Sequence, residues 1–394
     1  MIVSEVALAD VAGVKGLIGG PFGSSLVSND YEPTGVPVIR GTNLGHGKFL
    51  GGEYAFVSEE KVARDLSRNV AAAGDVVFTQ RGTLGQVALV PGRPFERYVI
   101  SQSQMRLRVD PAVAAPDFVY YACSSALFEK QVADNAISTG VPHINLGILG
   151  RLTIPLPSLR EQRAIAEVLG ALDDKIAAST KLINTADALC AALTRSALDS
   201  MACQSLSSIA VVTMGTSPAG TSFNEEGHGS VFYQGVRDFG VRFPTRRVWT
   251  TSPVRFAKAN DCLLSVRAPV GQVNMATEET CIGRGLASVR SRDGRPNTLF
   301  HLLRDAPEIW APYEAEGTIF GSINKTQLES IEVPTIIAAR ADQLEVQLAA
   351  IEARIASALS ENEMLAATRD ALLPQLMSDK LRVKDAEKVL EGVL

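Results

Sequence analysis

The sequence predicts a mixed α/β (α+β) fold built twice: two related globes, each followed by a long helix. The helices are expected to pair as an antiparallel coiled coil about a pseudo-twofold axis. Three observations predict this. First, motifs recur in order. "GDVVFTQRGTLGQV" (Gly74–Val87) returns 186 residues later as "NDCLLSVRAPVGQV" (Asn260–Val273). In "STGVPHINLGILGRLTIPLP" (Ser138–Pro157), Thr139, Ile144, Asn145, Leu149 and Pro155 meet Thr318, Ile323, Asn324, Leu328 and Pro334, all at a spacing of 179. Ordered matches at near-constant spacing mark a repeat. Second, each copy is followed by about 40 residues rich in Ala, Leu, Glu, Lys and Arg, the strong helix formers. Third, the copies hold short β-rich runs bounded by Gly, Pro and Asp.

In chain order, the first globe covers residues 1–157. "VPVIRG", "DVVFT", "QVALV" and "QMRLRV" read as its strands, and Pro116–Ala136 reads as a helix. Residues 158–204 form the first helical segment, with apolar residues at Ile165, Leu169, Leu172, Ile176 and Ile183. The second globe covers 205–335, with a weaker helical counterpart at Asn297–Gly317. Residues 336–394 form the second helical segment and a tail, with Leu344, Leu348, Ile351, Ile355 and Leu365 at the same 3- and 4-residue steps. Such steps make a coiled-coil seam, or the buried face of a helix on its own globe. A pseudo-twofold relation would put the globes at opposite ends of an antiparallel rod, holding two contact sites at fixed separation. DNA suits such an arrangement, because dimeric binders read half-sites a fixed distance apart.

Composition narrows the class. The 394 residues carry 38 Lys+Arg against 43 Asp+Glu, a net charge of −5, which is unlike a freestanding basic nucleic-acid binder. The five cysteines form no CxxC pair, so a reduced cytoplasmic protein is expected. The four histidines show no zinc-ligand spacing, and no metal is expected. No run of 18 apolar residues predicts a membrane span.

Several stretches resemble the specificity (S) subunit of type I restriction–modification systems: "GPFGSSL" and "GVPVIRGTN" (within Gly20–Asn43), "DVVFTQRGTLGQV" (Asp75–Val87), "INLGILGRLTIPLPSLREQRAIAEVLGALDDKI" (Ile144–Ile176) and "LLPQLMSDKLRV" (Leu372–Val383). The resemblance covers nearly the whole chain. It implies two target recognition domains (1–157 and 205–335) that read a bipartite asymmetric DNA site. The two helical segments would be conserved spacers that also dock two methyltransferase subunits, with restriction subunits joining the full complex. It implies a non-catalytic chain with no cofactor of its own; S-adenosylmethionine, ATP and Mg would sit on the partners. Glu161, Gln162, Ile165, Leu169, Leu172 and Ile176, with Leu344, Leu348, Ile351 and Ile355, are the candidate partner-binding positions. The second copy has "VPTIIAARADQ" where the first has "IPLPSLREQ", so its helix is expected to start differently.

The candidate DNA-contacting residues follow from charge and loop chemistry. Gly20–Gly45 is rich in glycine and hydroxyls but holds no GxxxxGK[ST] loop. Ser24, Ser25 and Thr42 could approach phosphates, with Arg40 and Asn43 near a groove. Alternatively the glycines only form turns, and Arg40 pairs with Asp75. Arg81 and Arg267 match in the repeat, which favours phosphate contact or architecture over base reading. Gln80, Gln102 and Gln104 suit adenine contacts, or are ordinary surface residues. His143 is the variable neighbour of a repeated Ile-Asn pair. Gln234 replaces Arg40 in the second copy. Val236–Lys258 holds six cations (Arg237, Arg242, Arg246, Arg247, Arg255, Lys258) interleaved with aromatics, the best local electrostatic footprint; Lys325 is added from the second repeat motif. No methyltransferase tetrad, helicase box, HExxH or GxSxG motif is found. The alternative function is a coiled-coil adaptor whose two related heads bind proteins.

Overall fold

The computed structural model describes residues 4–45, 47–138, 140–313 and 321–392. Thr139, His46, Gly317 and Thr318 lie outside the described residues. Four helices organise the chain: α1 (Pro116–Cys123), α2 (Leu159–Ala197), α3 (Pro296–Arg304) and α4 (Ala338–Met377). The chain divides into two compact units, with the division running across both long helices. Unit 1 is Met1–Ala178 with Glu361–Leu394, and unit 2 is Ser179–Ser360.

In unit 1 a four-stranded antiparallel sheet runs in the order Ala12–Gly19, Gln104–Val109, Val76–Thr79, Val87–Leu89. A second sheet runs Ala55–Val57, Val36–Ile39, Arg97–Ile100, Val70–Ala72. The first sheet packs Met105 and Leu107 against Phe118 of α1, Leu169 and Leu172 of α2, and Leu365 and Leu372 of α4. Burying each such side chain contributes about 1.5–3 kcal/mol. Pro116–Ala136 is not one helix. It breaks at Ser124, and Ser125 caps a second helix, Ala126–Asp134, by accepting the Phe128 N–H.

Unit 2 repeats this plan. Its antiparallel sheet runs Ala210–Met214, Leu286–Ser291, Cys262–Ser265, Val273–Met275, and α3 packs on it through Leu299, Phe300 and Leu303. The repeated motifs have local physical causes. Gly74 and Asn260 both adopt positive φ (83° and 69°), a region where glycine is free and asparagine tolerated. The following Asp75 and Asp261 each close that turn, accepting the Ala72 and Lys258 N–H groups. Each also takes a two-point grip from an arginine of the neighbouring strand, Arg108 and Arg290. Gly85 and Gly271 share φ near +88°. Ile144 and Ile323 are buried, while Asn145 and Asn324 cap short helices by accepting the Ile148 and Gln327 N–H groups.

Within each unit the long helices pair antiparallel. In unit 2, Ile183 packs with Ile355 and Ala358, while Cys190 and Ala197 pack with Leu344 and Leu348. In unit 1, Asp173 meets Arg369 and Lys175 meets Glu361. Helix α2 begins on a capping box: Ser158 Oγ accepts the Glu161 N–H and donates to its carboxylate. Helix α4 starts differently, as expected. The Ile337 N–H donates to the Ala197 carbonyl, and Arg340 Nη1 to that of Ser196.

Candidate nucleic-acid interface

The repeat places two arginines identically. Arg81 and Arg267 each follow a buried central strand, and each pairs by backbone with the segment before the Asn cap: Arg81 with His143, Arg267 with Ser322. The bonds beside them match, Ile144 N–H to the Gln80 carbonyl and Ile323 N–H to that of Val266, both 3.0 Å. Both side chains are exposed, and neither guanidinium has a partner among the described residues. The positions beside them differ: Gln80 and His143 in unit 1, Val266 and Ser322 in unit 2. The His143 ring is half-buried, its Nδ1 3.1 Å from the Val141 carbonyl.

The Gly20–Gly45 stretch is anchored from beneath. The Gly20 N–H donates to the Gln104 carbonyl, and a Cβ at Gly20 would collide with the Ser101 carbonyl. Gln102 Nε2 donates to the Gly23 and Leu26 carbonyls (2.8 and 3.0 Å), and buried Gln104 accepts from Ser101 Oγ. Buried Gln104 therefore builds the loop rather than facing outward, which corrects its reading as a base contact, while Gln102 supports the loop and stays exposed. Above them Ser24 and Thr42 are exposed and Ser25 is half-buried.

Asn43 is also corrected. It is 0 % exposed; its Oδ1 accepts the Arg40 N–H, and its Nδ2 donates to the Gly51 and Glu53 carbonyls. Arg40 does not pair with Asp75, which is taken by Arg108 and Arg106; Arg40 Nη2 lies 3.4 Å from the Glu53 carbonyl. In unit 2 Asp238 stands in the place of Asn43 and accepts the Gln234 N–H. The added charge draws in Arg247 at 2.8 Å, so Arg247 is committed to the loop.

Of the six cations in Val236–Lys258, Arg242 is the main correction. It is 1 % exposed, bound to Glu352 (3.1 Å) and Asp187, and unavailable to any DNA. Arg246 meets Glu278 at the surface. Arg237, Arg255 and Lys258 are exposed and unpaired among the described residues. Gln234, Arg237 and Arg267 line a cleft of about 310 Å³. At its edge Ser217 Oγ donates to Gln234 Oε1 and accepts the Arg284 N–H, both 3.1 Å. Sequence reasoning missed Ser217 and Arg284, although the replacement of Arg40 by Gln234 pointed to this place. Lys325 is exposed, 3.5 Å from Glu329.

The candidate partner-binding positions turn inward. Ile165, Leu169 and Leu172 lie in the core of unit 1, and Leu344, Leu348 and Ile355 in that of unit 2. Buried Gln162 accepts the Ala115 N–H and donates to the Pro157 carbonyl. In unit 1 these residues hold helix to globe, in unit 2 they hold the two long helices to each other, and neither set offers a free surface. Ile176 and Ile351 are half-buried, and Glu161 serves the capping box.

Each unit also has a polar junction between globe and helices. In unit 1 Tyr121 Oη donates to Asp173 Oδ2 (2.6 Å), and Arg369 binds the other oxygen (2.7 Å). Burial, then the Asp173 carboxylate, push the Tyr121 phenol far above its ordinary value. In unit 2 His301 occupies the equivalent place, with Glu352 facing its Nε2 (2.9 Å) and Asp305 its Nδ1 (2.8 Å). A neutral imidazole has one N–H and could satisfy only one of these. Burial alone would lower its pKa; hydrogen bonds to Asp305, Cys190 and Glu352 outweigh burial and hold it up to about 10. The Arg304 guanidinium, with that of Arg242, holds the Asp187 carboxyl well below the usual range. Cys190, His301 and Glu352 bring three potential metal-ligand atoms within 4.8 Å of one another, all buried, a grouping no sequence spacing revealed. An imidazolium with both nitrogens committed has no lone pair for a metal, so the cluster reads as a charge clamp.

Residues 3–187 match the family described as the type I restriction modification DNA specificity domain. Over 384 residues the chain is 28 % identical to a protein of Methanocaldococcus jannaschii assigned as the type I restriction enzyme MjaX specificity subunit, covering 90 % of this chain and 89 % of that one. The MjaVIII specificity subunit of the same organism is 25 % identical over 170 residues, 42 % of this chain and 40 % of its own. Among solved structures, the S subunit of a type I restriction–modification system from M. genitalium shares the fold, with a TM-score of 0.60 at 16 % identity over 95 % of each chain. Among the described residues no helix is long and apolar enough to cross a membrane.

Proposed function

We propose, from the match of residues 3–187 to the type I restriction modification DNA specificity domain and the likeness of nearly the whole chain to the MjaX specificity subunit, that the chain is a specificity subunit of this kind and selects the DNA sequence on which a methyltransferase and nuclease complex acts. Each unit reads one half of a bipartite, asymmetric site. The observation that carries this reading is the pair Arg81 and Arg267: unpaired, exposed, identically placed, and flanked by side chains that differ between units. Shared arginines suit the phosphate backbone, which is the same for every sequence, while the differing neighbours suit base edges. Asymmetry of the site then follows from divergence of the repeat.

The reaction belongs to partners in this reading. Methyltransferase subunits would supply S-adenosylmethionine, and restriction subunits ATP and Mg. With the inward-facing seam residues committed, outward faces of the long helices are left for docking. The adaptor alternative is disfavoured by the family to which residues 3–187 belong. Mapping methylated bases in a host carrying this chain and its methyltransferase tests the proposal. Replacing residues 1–157 with those of a relative is expected to change one half of the methylated motif and leave the other. An unchanged motif would refute the assignment.

A further inference from the structure

Unit 1 has a wide cleft, about 1120 Å³, on the face of its sheets turned away from α1. Five cations line it, Lys15, Arg68, Arg97, Arg106 and Arg108, against two carboxylates, Glu59 and Glu60. Arg97 is held by Glu59, and Arg108 by Asp75. Lys15 and Arg68 have no side-chain partner among the described residues and are exposed. The floor is Arg106, buried, with its two Nη groups donating to the Val70 and Lys15 carbonyls at 3.1 Å. Its Nε is buried and unpaired, and an unmet charged donor is costly until an acceptor arrives. Lys15 itself sits at φ +52° on a bulge of the strand Ala12–Gly19. Unit 2 has neither device. Ser288 stands where Arg106 does and donates to Asp261, and the matching strand Ala210–Met214 pairs without a bulge.

We propose that this cleft binds a phosphate-bearing anion, either a stretch of nucleic-acid backbone or a free nucleotide. Arg97, Arg106 and Arg108 have carboxylates beside them, but Lys15 and Arg68 have none among the described residues; an anion bridging these two would supply the missing charge, and a guanidinium floor suits the geometry of phosphate oxygens. The nucleic-acid source rests on the function proposed above; the site itself does not. The test uses the full chain and the double variant Lys15→Ala/Arg68→Ala, which removes two exposed, unpartnered side chains. Calorimetric titration with pyrophosphate is expected to show at least tenfold weaker binding by the variant. In complex with the methyltransferase, the log–log salt dependence of DNA binding is measured in parallel. Two lost phosphate contacts would lower its slope by about 2 and identify the backbone as the source; lost pyrophosphate binding with an unchanged slope would identify a free nucleotide-like anion. Equal pyrophosphate binding, or none by either protein, together with an unchanged slope overturns the proposal. Absence of sequence-specific binding by the wild-type complex would instead count against the proposed function.

Discussion

The junctions of unit 1 and unit 2 occupy equivalent positions in the repeat and use different chemistry. Tyr121 and His301 are the sixth residues of α1 and α3, each counted from a proline. Asp173 and Glu352 are separated by the same 179 residues as Ile144 and Ile323. Unit 1 uses a neutral phenol, one carboxylate and an arginine. Unit 2 uses an imidazolium between two carboxylates, with Arg242 and Arg304 completing the charge balance. The repeat has preserved where a polar bridge must stand between globe and helix, and has left its charge free to diverge.

The largest test of this comparison removes the central cation of unit 2. Arg242→Met takes one of two cationic partners from Glu352, which keeps His301, and from Asp187, which keeps Arg304; removing one partner of a buried ion pair costs about 3–5 kcal/mol. Both tryptophans, Trp249 and Trp310, lie in unit 2, so a lowered urea midpoint in tryptophan fluorescence reports the loss there. An unchanged midpoint would mean that Arg242 is replaceable.

Next comes pH. His301 is raised from 6.5 to about 10, so its contribution is fully present below about pH 6.5 and is lost as pH rises through about 10. Linkage makes that contribution on the order of a few kcal/mol. The stability of the wild type relative to His301→Gln, followed by tryptophan fluorescence, is expected to fall across that window. Unit 1 should show no such window, because its phenol remains a donor throughout; a matching fall in hydrogen-exchange protection at Asp173 would erase the distinction.

Tyr121→Phe takes one hydrogen bond from Asp173 while Arg369 remains. The expected cost is about 1.5–3 kcal/mol, seen as faster hydrogen exchange in residues 159–178. The smallest effect is expected at the repeated caps. Asn145→Ala and Asn324→Ala should each cost about 1 kcal/mol and by similar amounts, since both side chains make the same bond; thermal denaturation of the two variants compares them.

Much of the fold was legible because the repeat records local causes. Gly74 and Asn260 mark a positive-φ turn, Asp75 and Asp261 close it, and Asn145 and Asn324 start helices. Each is visible within a few residues. The candidate interface was less legible. The cations of Val236–Lys258 look alike in sequence, and only the fold brings Glu352, 110 residues from Arg242, to select one of them for burial. Asn43 and Gln104, both buried, misled for a related reason: amides that support a loop from below have the composition of amides that face outward. The seam residues were found by periodicity, which identifies an apolar face without saying what covers it.

The division through both long helices sets an order of events during synthesis. Ser179–Ser360 is contiguous, so unit 2 has all its parts once the ribosome has passed Ser360. Unit 1 begins earlier but needs Leu365, Leu372, Leu373 and Leu376 to cover Leu169 and Leu172. Domains ordinarily fold from the N-terminus during translation; here the second unit is expected to close first, while the first waits with its core open. Pulse proteolysis of nascent chains stalled after Ser360 checks this: protection of 179–360 before 1–178 is expected, and the reverse order would show that unit 1 closes without its last helix.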